Sequence, residues 1–487
     1  MEAGPGKVFT DEELARLPRE ELVALVVSQA SMIEMLMARV ERLESEASRD
    51  SKTSSKPPSA DNQARRAERA KAKAKAPGRK RGKRPGSQGH RLAPVAEPDV
   101  TKLHRPEACA HCGASLGDAE VLGSESRQVF DIPEPTPFVT EHQAQRRRCR
   151  CGCVTAAAFP PEATAPACYG PRLRALAVYM LCRQHLPVER CAELLADVLG
   201  VSVSTGWLSG LVPEAGGALM PFVDHVTDLM RTSPVVGADE TGARVRVAKR
   251  WFHVLSTPSL TLLACHPSRG REAIDEIDVL PGYRGVIVHD GLALYDGLGQ
   301  ASHAQCNAHL LRHLAAVGVV WDQEAWTKAM TEVLIEAKTA ADDARQRGRR
   351  RVAPTTVKAI ETRYDEAIAK ALAGLPPGRP PRRRGSGGWR EHQRQAWNLA
   401  DRMTRNKADV LRFLTDTRIP FTNNGSERDL RMVKLQQKIS GTFQSDEGAR
   451  SFARVRSYLQ TAAKQNQNLL GVLTQLFATG PWLPAGP

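Results

Sequence analysis

The chain has 487 residues, 41% of them hydrophobic, and a formal charge of +15 from 69 Lys and Arg against 54 Asp and Glu. That length exceeds one ordinary core and implies several modules. No uninterrupted apolar run reaches the roughly 18 residues of a membrane helix, so a soluble protein with no membrane partner is expected, and acids rather than a basic-then-apolar signal at the N-terminus point to the cytoplasm.

Residues 10–47 read as a leucine-zipper-like helix. Val26, Ile33 and Val40 fall at heptad position a, and Leu22, Leu36 and Leu43 fall at d, with Gln29 as the one polar d. β-branched a positions with Leu at d favour a parallel two-stranded coil, so a second copy of the chain is the expected partner. The alternative is an amphipathic helix packed on its own chain. Residues 48–100 form a basic linker, with fourteen Lys or Arg against Asp61 and Glu68 between Ser51 and Arg91. Self-repulsion and a lack of apolar residues keep such a run from folding, and a nucleic-acid backbone is its usual partner. A solvated linker with no fixed partner is the plainer alternative.

Residues 101–165 carry "CAHCG" (Cys109 to Gly113) and "CRCGC" (Cys149 to Cys153), separated by a strand-like stretch rich in Val, Phe and Pro. Thiolates on tight Gly-containing turns can converge on a tetrahedral ion, so a zinc-ribbon-like module with structural Zn²⁺ is expected. The ligands read as Cys109, Cys112, Cys149 and Cys151, with Cys153 as the substitute for Cys151. The other five of the ten cysteines are scattered, which argues for reduced thiols rather than a disulfide framework.

Residues 166–232 turn helical. In "VERCAELLADVLG" the residues Val188, Cys191, Leu194, Leu195 and Val198 share one face, and Gly200 is followed by a second helix that Ser202 or Ser204 would cap. This is a helix-turn-helix-like plan for contact with DNA. From 233 to 445 the period changes. "PVVGADETGARVRV", "WFHVLSTP" and "LTLLACHPS" read as three strands, "REAIDEIDVL" as a helix, "GVIVHDG" as a buried strand, and "SHAQCNAHLLRHL" as a strand leading into a helix. That order is the plan of a ribonuclease-H-like α/β core, in which Asp239 would end or interrupt the first strand and Asp290 would close the fourth. The helical stretch at about 320–415, interrupted by "RQRGRRR" and "PPGRPPRRR", reads as an insertion. Residues 446–487 read as a C-terminal helical tail.

"NNGSERDLRMVKLQQK" opens a helix with Asn423 or Asn424 as its expected cap. Helical spacing puts Glu427 on one face with Arg431, Lys434 and Lys438, and sends Asp429 to another. An acid at the head of a basic stripe suits a place where metal and phosphate meet.

The stretches "ADET", "HDG", "CNAHLLRH" and "NNGSERDLR", together with the heptads, "SSKPPSAD" and the cysteine knuckles, resemble the DDE transposases of the insertion sequence 66 family over nearly the whole chain. The sequence departs from that pattern in its short second knuckle and at Thr422. The resemblance implies that Asp239, Asp290 and Glu427 form the catalytic triad and hold two Mg²⁺ (or Mn²⁺) ions about 3.5 to 4 Å apart. Three gathered acids repel one another without cations, and their oxygens suit hard ions. It also implies an enzyme that binds the ends of a mobile element, cuts them and joins them to target DNA, with help from accessory proteins of the same element. Arg428, Arg431 and Lys434 are then phosphate contacts, while His303, Cys306 and His309 read as structure behind the site rather than a second zinc site. The alternatives are a ribonuclease-H-like nuclease without strand transfer and a non-catalytic DNA-binding regulator.

Overall fold

The computed structural model describes residues 18–48, 92–160, 162–320, 323–381 and 389–486. Residues 10–17 of the expected coil, the basic run 49–91, and Arg382, Arg383 and Arg384 lie outside the described residues. Helix α1 (Arg19–Ser48) contains neither Gly nor Pro and follows the heptads. Its Val26, Ile33, Leu36 and Val40 are each more than half exposed among the described residues. In the cysteine-rich segment a short hairpin, β1 (Arg146–Arg148) with β2 (Val154–Ala156), brackets the second knuckle. The stretch read as strand-like between the knuckles forms no strand from residue 120 to 145. Pro133, Pro135 and Pro137 remove backbone donors there, and Val121, Leu122, Val129 and Phe138 are exposed.

Four helices follow: α2 (Pro171–Val178), which runs into a π turn over Tyr179–Arg183, then α3 (Val188–Leu199), α4 (Thr205–Ala218) and α5 (Met220–Thr232). Gly200 ends α3 in the left-handed region at φ 63°, where a side chain is disfavoured. Ser204 caps α4, its Oγ accepting from Trp207 N at 3.1 Å. The helix-turn-helix-like pair thus forms. However, α4 carries no Lys or Arg, and Leu208, Leu211 and Ala215 on it are buried.

The sheet has five strands: β3 (Val235–Val245), β4 (Ala248–Ser256), β5 (Thr261–His266), β6 (Val286–His289) and β7 (Ser302–Gln305), in the order β5-β4-β3-β6-β7. The first three are antiparallel to one another, whereas β3, β6 and β7 run parallel. Strand β3 does not end at Asp239. It continues six residues further, because β4 pairs with it from Gly237 to Val245, whereas its parallel pairing with β6 stops at Gly237 with Val288. Asp239 therefore lies where β3 has just lost a neighbour on one side.

Helix α6 (Arg271–Ile277) and the short α7 (Ala293–Asp296) connect the strands, and α8 (Asn307–Val320) leaves β7. The inserted region is helical: α9 (Glu324–Gln346), α10 (Pro354–Ala373), α11 (Glu391–Arg405) and α12 (Lys407–Leu411). These helices bury Trp326, Tyr364, Trp389 and Phe413 in a core of their own, which reaches the sheet at Val288 and Ala304. The chain then returns to the sheet through α13 (Asn424–Ser440), α14 (Asp446–Lys464) and α15 (Leu469–Ala478).

Helix α14, part of the segment that sequence reading set aside as a tail, belongs to the main core. It lies along the open edge of β5. Thr461 Oγ1 accepts from Thr261 N at 3.0 Å, and Ser457 Oγ accepts from Leu263 N at 2.7 Å. Two strand residues span roughly 6.8 Å and four helix residues roughly 6 Å, so hydroxyls at i and i+4 match the free amides of an edge strand. The edge that would otherwise template another chain is closed from within.

Candidate functional site

Strands β3 and β6 are neighbours, and Asp239 and Asp290 each follow the last paired residues, Gly237 and Val288, by two positions. Both acids thus stand just past the end of the β3–β6 pairing, Asp239 still within β3 and Asp290 one residue beyond β6. Asp290 stands one residue past β6, and its Oδ1 accepts from Leu292 N at 3.0 Å, which fixes the turn. Gly291 makes that turn at φ 89°, a conformation that a side chain would strain.

Glu427 comes from the first turn of α13, whose start is docked on β3. Asn423 was expected as a helix cap, but its side chain makes no capping bond. It reaches the sheet instead: Nδ2 donates to Ala238 O at 2.7 Å, and Oδ1 accepts from Ser426 Oγ at 2.7 Å. Gly237 is required beneath them, because a Cβ there would collide with Asn423 Oδ1 and Ser426 Oγ. Asp239 lies two residues along the same strand and so faces the same side as Gly237. Glu427 is thereby held over the edge that carries the two aspartates.

Asp239 feels both of the other carboxylates. Burial pushes the Asp239 carboxyl up to about 8, and the negative charges of Glu240 and Asp290, then of Glu427, push the same way. Glu240 points to the opposite face of the sheet. Its side chain is buried but paired, accepting from Arg269 Nη2 at 2.6 Å and Tyr295 Oη at 2.9 Å.

Helix α8 supplies further groups beside Glu427. Arg312 Nη2 lies 3.3 Å from Glu427 Oε1, and His309 Nδ1 lies 3.5 Å from the same oxygen. Cys306 Sγ accepts from Asn423 N at 3.1 Å, and burial raises its thiol above the ordinary range. Burial, with help from Arg312, holds the His309 imidazole below its usual value. Among the described residues, Cys306, His309 and Glu427 are the set whose potential ligand atoms lie within 4.8 Å of one another. His303 stands apart from it, and its ring meets that of His289 edge-on at 5.3 Å. One residue comes from the insertion: Arg402 on α11 donates to His313 Nδ1 at 2.7 Å.

Asp429 lies on another face of α13, as expected, and is held in the core there. It is 6% exposed, and its Oδ2 accepts from Ser256 Oγ at 3.0 Å, Thr261 Oγ1 at 2.8 Å and Lys464 Nζ at 3.0 Å. Lys464 in turn donates to Ser256 Oγ and to the carbonyls of Thr257 and Leu260. Two residues along a helix is about 200° around it, so α13 turns one acid to the site and the other into the core. Of the expected phosphate contacts, Arg428, Arg431 and Lys434 are all exposed. Lys434 is engaged by the sheet, its Nζ donating to Gly242 O, and burial holds its ammonium below the usual value.

Both cysteine knuckles form as tight turns with left-handed glycines, Gly113 at φ 74° and Gly152 at φ 89°. Cys109 N donates to Ala114 O, and Cys149 N to Cys153 O, both at 2.8 Å. Neighbouring backbone amides and thiols lower the thiols of Cys109 and Cys151. That is the chemistry of thiolate ligands, and all four expected ligands are present. The two knuckles do not bring Cys109, Cys112, Cys149 and Cys151 within 4.8 Å of one another.

Sequence reasoning missed Arg312, the sheet contact of Asn423, and the Asp429–Lys464 pair. Arg312 was legible as the residue three past His309, on the same helical face. Lys464 gave no signal, since it lies 35 residues from Asp429 along the chain.

Comparison with known proteins matches residues 166–451 to the family model described as Transposase IS66 family. Residues 106–152 match the zinc-finger binding domain of transposase IS66, and residues 9–93 match a family of unknown function. Two proteins of Sinorhizobium fredii, both named as uncharacterized, are similar in sequence. One, y4qI, is 25% identical over 408 residues, covering 77% of this chain and 71% of that protein. The other, y4hP, is 23% identical over 424 residues, covering 77% and 72%.

Proposed function

The chain belongs to the IS66 transposase family, and from that premise we propose that Asp239, Asp290 and Glu427 are its catalytic carboxylates, in an enzyme that cuts the ends of an insertion sequence and transfers them to target DNA. The observation that carries this reading is the shared edge of β3 and β6, where two aspartates emerge at matching positions beneath the Glu427 helix. The strand order β5-β4-β3-β6-β7, with three antiparallel strands followed by two parallel ones, supports a ribonuclease-H-like core.

Mutual repulsion at Asp239 is what a divalent cation would relieve, so the donor set fits Mg²⁺ or Mn²⁺. When bound, a pair of such ions activates a water or a 3′-hydroxyl and neutralises the leaving oxygen. The protein's own work is positional. Asn423 and Ser426 hold the start of α13 against β3, and the turn at Gly291 fixes Asp290. Arg428 and Arg431 stand exposed near the head of the same helix, placed to bind the phosphates of the strand to be cut. Lys434 contributes through its bond to β3 and its charge. The cysteine knuckles hold structural Zn²⁺, and the apolar stripe of α1 joins two copies of the chain, consistent with Val26, Ile33 and Val40 standing open at a positions.

The test is strand cleavage on a labelled duplex that carries the element's end, with Mg²⁺ supplied. Asp239→Asn, Asp290→Asn and Glu427→Gln should each lower cleavage by roughly 10³-fold or more while leaving DNA binding within a few-fold. Full cleavage by any of the three would remove that acid from the triad. Cleavage without joining to a second duplex would reduce the activity to that of a nuclease.

A further inference from the structure

We propose that Cys306, His309 and Glu427 form a second metal site, selective for a soft divalent ion such as Zn²⁺, and that an ion bound there takes Glu427 away from the Asp239–Asp290 edge. The inhibitory half of this proposal rests on the triad reading above, whereas the metal site itself does not.

Three observations carry it. First, the potential ligand atoms, a thiol sulfur, an imidazole nitrogen and a carboxylate oxygen, lie within 4.8 Å of one another. Ligands on a tetrahedral zinc stand roughly 3.5 Å apart, so closing the set needs inward shifts of about 1 Å. Second, His309 Nδ1 is buried without a hydrogen-bond partner and faces Glu427 Oε1 at 3.5 Å. That separation is too long for a hydrogen bond, and a lone pair opposite a carboxylate is a seat for a cation. Third, Glu427 is not firmly held elsewhere. Its contact with Arg312 measures 3.3 Å, against about 2.7–2.9 Å for a well-made charge-assisted bond.

The arrangement has a supported outer layer. Cys306 immediately precedes α8 and His309 lies in its first turn, its N bonded to Cys306 O at 3.0 Å, and Asn423 N already points at the sulfur. Glu427 is the most exposed of the three ligands, so the ion enters from the side of the triad. Binding releases the thiol proton to solvent and leaves a thiolate, the ligand that favours Zn²⁺ over Mg²⁺. Three protein ligands leave one coordination position for water.

The test compares the full-length chain with Cys306→Ser and His309→Gln, each checked by circular dichroism for an unchanged fold. Serine can still accept from Asn423 N, so the first change is mild. After equilibration with a small excess of Zn²⁺ and removal of free ion, the parent should hold one more zinc per chain than either variant. Equal zinc content in all three proteins overturns the site. Each protein's own Mn²⁺-supported cleavage is then titrated with Zn²⁺. The concentration that halves it should rise at least tenfold in Cys306→Ser. If zinc content differs as expected but the half-inhibitory concentration does not move, competition for Glu427 is overturned. If zinc content differs and no protein cleaves DNA, the metal site stands and the triad reading fails.

Discussion

Two edges of the sheet gather buried charge and treat it in opposite ways. Where the pairing of β3 with β6 ends, burial and the charges of Glu240, Asp290 and Glu427 force the Asp239 carboxyl up to about 8. At the β5 edge, Asp429 accepts from Lys464 and two hydroxyls, and Lys464 shares its three protons among Asp429, Ser256 Oγ and two carbonyls. In the first cluster Arg312 stands 3.3 Å from Glu427, but the charges that act on buried Asp239 are all like ones, whereas the second cluster is satisfied within the protein. Both acids of α13 take part, two residues apart. Charge left uncompensated at an open edge marks a place for a ligand, whereas charge that is fully paired marks a joint.

The sharpest way to break this contrast is to neutralise the two acids of α13 in turn. Glu427→Gln should lower Mg²⁺-dependent cleavage by roughly 10³-fold or more and leave the melting temperature unchanged or raised. Lys464→Met, which strands Asp429 in the core, should instead cost about 3 kcal/mol of stability and lower the melting temperature by roughly 6 °C. Thermal melts and cleavage assays on the same preparations would show it. If Lys464→Met melts like the parent, the β5 edge is not the joint described.

A second test uses pH. The folded Asp239 carboxyl titrates near 8 and its unfolded counterpart near 3.8, so its contribution to stability is full below about pH 4 and is lost as pH rises through 8. Metal-free protein should therefore weaken across that window, and Asp239→Asn should raise its melting temperature at pH 8 by roughly 5 °C while changing little at pH 4. Mg²⁺ must displace the same proton, so its affinity should climb toward pH 8. A parent whose metal-free melting point is flat from pH 5 to 8 contradicts the burial assigned to Asp239.

Removal of zinc should act on a different part of the chain. About one zinc per chain is expected at the knuckles, and chelation should unfold residues 101–165 alone, seen as faster amide exchange there with the sheet unchanged. The smallest effect on the fold is expected from Ile33→Glu with Leu36→Glu. It should lower the mass in sedimentation toward that of a single chain while the melting of the sheet stays within about 0.5 kcal/mol of the parent.

The sequence by itself determined the local elements and the acids. Period-two runs marked β3, β4 and β5, Gly200 with Ser202 or Ser204 marked the turn between α3 and α4, and Asp239, Asp290 and Glu427 stood out beside small and polar residues. Those signals are short-range, set by side-chain spacing and by the conformations that Gly and Ser allow. Tertiary structure alone decided that β3 keeps β4 to Val245 but loses β6 at Gly237, so that Asp239 stands where one neighbour ends. It also decided that Asn423 serves the sheet rather than its own helix, that Asp429 is a joint, and that α14 closes an edge instead of trailing behind as a tail. Each depends on groups brought together across long separations in the chain, 185 residues for Asn423 with Ala238 and 200 for Thr461 with Thr261. Hydrogen bonds and buried charge are satisfied by whatever lies close in space, and a linear pattern does not record which distant residue that will be.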